Sequence, residues 1–181
     1  MRVIAGVAKG TRLGPVPAGT RPLSDRAREG FFSSLGEAVS GARVLDLYAG
    51  TGAMGIEALS RGAASAVFVD REHAAVSAVK SNLDKTGLAA SAKVIKRSVR
   101  QYLRGKAAQA ELVFLDPPYD TAADEVELVL EALTAGWLSP RAWTVVLTRP
   151  SKSYTPVTPV NWRLAKRLVY GDTLVVLFRE V

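Results

Sequence analysis

The sequence predicts an α/β fold, with a mostly parallel sheet covered by helices on both faces and closed by an antiparallel pair. Three observations predict it. From residue 43 onward, short apolar runs alternate with Ala- and Leu-rich stretches of helical spacing, the pattern of strands joined by crossover helices. The first run leads directly into a glycine-rich turn, Gly50-Thr51-Gly52-Ala53-Met54-Gly55, of the kind that joins a strand to a helix. The last two runs are separated only by Gly171-Asp172, a hairpin signal.

Residues 1–42 differ from the rest. Gly6, Gly10, Gly14, Pro15, Pro17 and Gly19 punctuate short basic runs, favouring a hairpin or loops over helix. Ser24 or Asp25 can then cap a helix carrying Arg26, Arg28, Phe31, Phe32 and Leu35. This segment reads as a basic extension of hairpin and helix, appended to a domain at 43–181. In that domain, strands are expected at 43–48, 66–70, 93–96, 112–116 and 143–147, with helices near 54–61, 72–86, 98–106 and 123–135. Runs 162–170 and 173–179 form the closing hairpin.

Composition excludes several function classes. With 181 residues, 48% of them hydrophobic and 23% charged, the chain is one ordinary globular domain with a small appendage at most. It has no cysteine, which removes disulfides, thiolate nucleophiles, iron–sulfur clusters and Cys-ligated zinc. Its single histidine, His73, removes multi-His metal sites and reads as a capping or surface residue. Charge-free stretches reach ten residues, short of the roughly 18 that span a bilayer. The start, Met1-Arg2-Val3-Ile4-Ala5-Gly6, lacks an apolar signal core, so a cytoplasmic location is expected.

The net charge of +7 is unevenly spread. Residues 1–30 carry six Lys/Arg against two acids, 31–142 twelve against thirteen, and 143–181 six against two. Basic ends around a near-neutral middle suit a polyanion such as nucleic acid.

The glycine turn matches G-x-G-x-x-G, and Asp70 follows twenty residues after Gly50, where a carboxylate can take both ribose hydroxyls. Asp46, just ahead of the turn, points to the ligand. It would repel a pyrophosphate but stabilise an ammonium or sulfonium. S-adenosylmethionine carries both cations and a ribose. The other role for Asp46, capping the following helix, is disfavoured because position 46 comes too early.

Strand four ends in Asp116-Pro117-Pro118-Tyr119. At ~5% per residue type, a given tetrapeptide occurs by chance in about one such chain in a thousand. An exocyclic amine on a nucleobase is a weak nucleophile, because its lone pair is delocalised into the ring. It must be oriented, with its N–H bonds held by acceptors. Asp116 supplies a carboxylate and Pro117 a carbonyl. Pro117 and Pro118 stiffen the turn and remove competing N–H donors, and Tyr119 offers a face on which an extruded base can stack. This work is positioning and preorganisation.

The chain resembles the bacterial small-subunit ribosomal RNA guanine-N2 methyltransferases (RsmD type). The resemblance runs through Arg2–Gly6, Lys9-Gly10, Arg21-Pro22, Asp25–Glu29, Asp46–Gly55, Glu57–Gly62 and Asp116–Tyr119. It implies a Rossmann-like seven-stranded methyltransferase sheet that binds S-adenosylmethionine, and N2-methylguanine as product in an assembling or assembled small subunit. A monomer is expected. Asp46, Gly50 and Gly52 would face the methionine half of the donor, Asp70 its ribose, and Asp116 and Tyr119 the target base. Ser98 stands where such enzymes often carry Asp or Asn against the adenine, and Thr148-Arg149 where relatives can carry a glutamate. Lys9, Arg12, Arg21, Arg26 and Arg28 are candidates for RNA phosphate contact, with Lys166 and Arg167 extending the patch. Arg21 and Ser24 are alternative partners for the donor carboxylate. Trp137, Trp143 and Trp162 read as core or sheet-cover aromatics.

Three rival readings keep distinct signatures. One is an amino methyltransferase of adenine or cytosine in nucleic acid, or of protein glutamine. Another is an NAD(P)-dependent oxidoreductase, supported by the literal glycine motif. The last is a non-catalytic RNA-binding assembly factor.

Overall fold

Runs of residues buried on both faces fix where the sheet lies. The computed structural model describes residues 1–16 and 22–181. Its strands are β1 (Arg43–Leu47), β2 (Ser65–Asp70), β3 (Ala92–Lys96), β4 (Leu112–Leu115), β5 (Thr144–Pro150), β6 (Trp162–Tyr170) and β7 (Thr173–Glu180). Its helices are α1 (Asp25–Leu35), α2 (Ala53–Ser60), α3 (His73–Thr86), α4 (Val99–Leu103) and α5 (Ala123–Leu133). The seven strands form one sheet in the order β3-β2-β1-β4-β5-β7-β6. β1 to β5 pair in parallel, and β7 runs antiparallel to both β5 and β6.

Strand order reverses at β1, which lies between β2 and β4. A crevice opens at such a reversal, beyond the carboxyl ends of the strands. The register pairs Asp46 with Phe114 and Leu47 with Leu115, so Asp46 and the start of the Asp116 turn emerge side by side. Alternation along each strand divides the core. Val44, Phe68, Phe114 and Val146 pack with α1, α2 and α3, while Leu45, Val113, Leu115 and Leu147 pack with α4 and α5. Trp137, Trp143 and Trp162 are buried.

The described residues ahead of α1 add no strand to the sheet but pack into its core. Arg2 and Arg12 form a single antiparallel bridge. Val3, Ala8, Leu13 and Leu23 belong to the cluster that holds Phe31, Phe32 and Phe114. Backbone and side chains of α2 hold this arm. Val7 N–H donates to the Ser60 carbonyl (2.8 Å), Ser60 Oγ donates to the Ala5 carbonyl (2.6 Å), and the Ile4 and Ala5 amides donate to the Glu57 carboxylate (2.8 and 3.1 Å). A Cβ at Gly6, where φ is +84°, would lie 1.7 Å from the Ser60 carbonyl oxygen, so this approach requires glycine.

Most boundaries fall within a residue or two of the periodicity, and two depart by three residues. β5 extends three residues beyond 147, because Thr148, Arg149 and Pro150 pair with Val175, Leu174 and Thr173 of β7. α4 ends at Leu103, within the expected helix. No helix among the described residues is long and apolar enough to cross a membrane.

Candidate active site

At the carboxyl end of β1 the chain turns through left-handed residues, Tyr48 (φ 62°), Gly50 (φ 57°) and Gly52 (φ 77°). For tyrosine this conformation costs about 1–2 kcal/mol, a strain of the kind found at functional turns. Tyr48 was expected to be the last strand residue, but the strand stops at Leu47. Doubling back in this way lets Asp46 reach the start of α2. Its Oδ2 accepts from the Gly55 amide at 2.9 Å, and Gly55 is the third residue of that helix. Position 46 does come too early to be the N-cap, which is Gly52, but the left-handed turn removes the distance that sequence separation suggests and lets the Asp46 side chain reach an amide of the first turn. Asp70, at the end of β2, accepts from the Gly50 amide through Oδ2 and from the Glu72 amide through Oδ1, both at 2.9 Å.

These bonds leave few donors in the turn. The Gly50 amide is held by Asp70, that of Gly52 by the Ala49 carbonyl (2.7 Å), and that of Gly55 by Asp46. Gly55 also lets helix pack on strand, since a Cβ there would lie 2.4 Å from the Phe68 ring. Gly50 faces open space. Asp46 is fully buried. Burial pushes its carboxyl well above the usual carboxylate range; the Gly55 amide pulls it back, and the charges of Asp116 and Asp70 push it further up.

At the carboxyl end of β4, Thr148 of β5 donates its hydroxyl to Asp116 Oδ1. Burial raises the Asp116 carboxyl to about 6, and the Thr148 hydroxyl opposes that rise. Oδ2 keeps its lone pairs for another donor. Pro117 is buried and Pro118 exposed. Tyr119 is half-buried, and its hydroxyl is 3.0 Å from Thr173 Oγ1 on β7. Arg149 spans beneath the loop, with Nη2 donating to the Thr121 carbonyl at 2.9 Å. Thr148, Arg149, Thr173 and Tyr48 carry no recognisable motif, and sequence reasoning assigned none of them a role. The longer β5 brings the first two to the site.

A cleft joins the two turns, lined by Asp46, Gly50, Asp116, Met1, Leu23 and Arg28 among others. Arg28 requires a correction. It was expected on an RNA-facing surface, yet its side chain is 1% exposed and lines the cleft rather than the outer surface. α1 turns it inward, where Nη2 donates to the Arg2 carbonyl (2.7 Å) and Asp25 Oδ1 (2.6 Å). Lys9, Arg12, Arg26, Lys166 and Arg167 are exposed. Arg21 lies outside the described residues. Ser24 caps α1 by accepting from the Ala27 amide, and Ser98 caps α4 by accepting from the Gln101 amide. His73 is exposed at the start of α3.

The family described as conserved hypothetical protein 95 matches residues 1–179. Ribosomal RNA small subunit methyltransferase D of Escherichia coli (strain K12) is 35% identical over 183 residues, covering 99% of this chain and 90% of that protein. The solved Escherichia coli yhhF chain superposes with a TM-score of 0.88 at 32% identity, covering 99% of this chain and 97% of its own. SMU.776, solved complexed with SAH, shares the fold at 13% identity and a TM-score of 0.68, over 81% of this chain and 48% of that one.

Proposed function

Because the chain belongs to the ribosomal RNA small subunit methyltransferase D family, we propose that it methylates the exocyclic N2 amine of a guanine in small-subunit ribosomal RNA. The proposed donor is S-adenosylmethionine, and the proposed substrate is RNA within an assembling or assembled small subunit, met by a monomer. One observation carries the reading. Asp46, Asp70 and the Asp116-Pro117-Pro118-Tyr119 turn converge at the strand-order reversal, while the glycine amides that a pyrophosphate would need are held by Asp70, Ala49 and Asp46. A negative crevice with its amides engaged favours a cationic ligand and weighs against a dinucleotide.

The open space at Gly50 and the carboxylates around it fit the donor. Asp46 would hold its cationic half and Asp70 its ribose, through the lone pairs left on each oxygen. Ser98 would meet the adenine with the second lone pair of its hydroxyl. When bound, the donor supplies an activated methyl group.

The base end is the work of the chain. Thr148 fixes Oδ1 of Asp116, so Oδ2 accepts an N–H of the target amine while the Pro117 carbonyl takes the other. The lone pair is thereby turned out of conjugation toward the cleft. Tyr119, held by Thr173, stacks on the base. The amine becomes acidic once methylated, and Asp116 Oδ2 is the nearest base to receive its proton. Preorganised acceptors of this kind are worth several kcal/mol of barrier. Exposed Lys9, Arg12 and Arg26, with Lys166 and Arg167, would contact phosphates, as would Arg21.

Calorimetry with S-adenosylhomocysteine and with NAD(P)H tests the cofactor half: binding of the former alone is expected, and tight binding of only the nicotinamide would overturn it. Labelled donor offered with small subunits, naked RNA, DNA and protein tests the substrate half. Label confined to DNA or protein would contradict it.

A further inference from the structure

We infer that Arg28 is the carboxylate receptor for the amino-acid end of the methyl donor, which rests on the donor reading above. Arg28 lines the cleft together with Asp46, Gly50 and Asp116. Its side chain is 1% exposed, yet among the described residues Nε and Nη1 have no hydrogen-bond partner. Nη1 lies 3.7 Å from Glu57 Oε2, an ion pair without a hydrogen bond. Glu57 itself is taken up by the Ile4 and Ala5 amides and by Arg61 Nε at 2.7 Å. A guanidinium whose N–H groups are buried without acceptors is costly, and the cost falls if a ligand brings an anionic oxygen to one of them.

The surroundings select the anion. The same cleft is lined by the carboxyl groups of Asp46 and Asp116. A phosphate at Arg28 would be repelled by them. An α-amino acid carries an ammonium for the acidic wall and a carboxylate for the arginine, so both ends of the cleft are matched by one ligand. The guanidinium is already aimed, since Nη2 is fixed by the Arg2 carbonyl and Asp25 Oδ1. Little side-chain entropy remains to be lost on binding.

The test compares S-adenosylhomocysteine with its decarboxylated counterpart, S-adenosyl-3-thiopropylamine, by calorimetry on the wild type, Arg28→Lys and Arg28→Gln. Thermal melts first establish which variants are folded. The wild type is expected to bind the carboxylate-bearing ligand about 10- to 100-fold more tightly, a typical span for a charge-assisted pair. In Arg28→Gln that preference should shrink to about twofold, with affinity for the decarboxylated ligand unchanged. Arg28→Lys keeps the charge but loses the fixed donor directions of the guanidinium, and should retain part of the preference. Equal binding of the two ligands by the wild type needs no variant and overturns the assignment, as does a full preference persisting in either folded variant. A wild type that binds neither ligand would overturn the donor reading itself, and this assignment with it.

Discussion

The turns after β1 and β4 solve one problem in two ways. Each places a carboxylate at the carboxyl end of a central parallel strand, and both groups are pushed up by burial. Asp46 is held by backbone, through the Gly55 amide, and is fully buried. Asp116 is held by a side chain, the Thr148 hydroxyl, and remains partly exposed. A backbone-held acid is a permanent fixture of the binding site. A hydroxyl-held acid with one free oxygen can receive a substrate hydrogen and pass on a proton. The difference separates a group that binds from a group that orients.

That contrast can be broken at either turn. The largest effect is expected from Asp116→Ala, which should lower turnover at least about a thousandfold while S-adenosylhomocysteine affinity changes by no more than a few-fold. Single-turnover kinetics and calorimetry measure the two, and unchanged turnover would remove Asp116 from the site. Asp46→Asn should do the reverse. It keeps an acceptor for the Gly55 amide but loses the charge, so donor affinity should fall about 10- to 100-fold.

Smaller effects sharpen the comparison. The Thr148 hydroxyl favours the ionised form of Asp116, so Thr148→Val should move the acidic limb of the kcat/KM profile upward from about 6. Thr148→Ser should restore it. An unmoved limb in Thr148→Val would show that the hydroxyl does not tune the acid.

The smallest expected effect is on stability. The Asp116 carboxyl sits at about 6 against an ordinary 3.8, so the folded state holds this proton more tightly than the unfolded state. Its ionisation therefore costs stability as pH rises from about 4 to 6, an upper bound of about 3 kcal/mol that partial exposure reduces to about 1–2. Asp116→Asn should raise the melting temperature at pH 7 by about 2–6 °C, with the gain vanishing near pH 4. No gain at pH 7 would contradict the burial of this charge.

Much of this arrangement was legible in the residues. Strand–helix alternation placed the five parallel strands and the Gly171-Asp172 turn the last two, and the central strands, buried on both faces, read as continuous apolar runs. Asp46 and Asp116 were visible because each sits beside a turn made of unusual residues. Thr148 and Thr173 were not, since a threonine in a strand reads as ordinary sheet, and only the β5–β7 register brings it beneath an active loop. Arg28 was misread for a related reason. A basic residue two positions from Arg26 looks like surface, and only α1 packing against the arm and the sheet shows that one of the pair faces inward. Local chemistry survives in the sequence, whereas partners supplied from more than 25 residues away do not.

The most direct test digests small-subunit RNA after incubation with labelled donor and the wild-type chain, and identifies the modified nucleoside by mass spectrometry. The account predicts label in N2-methylguanosine, absent when Asp116→Ala replaces the wild type. Label in N6-methyladenosine or in a ribose-methylated nucleoside, or label that persists in the variant, would contradict it.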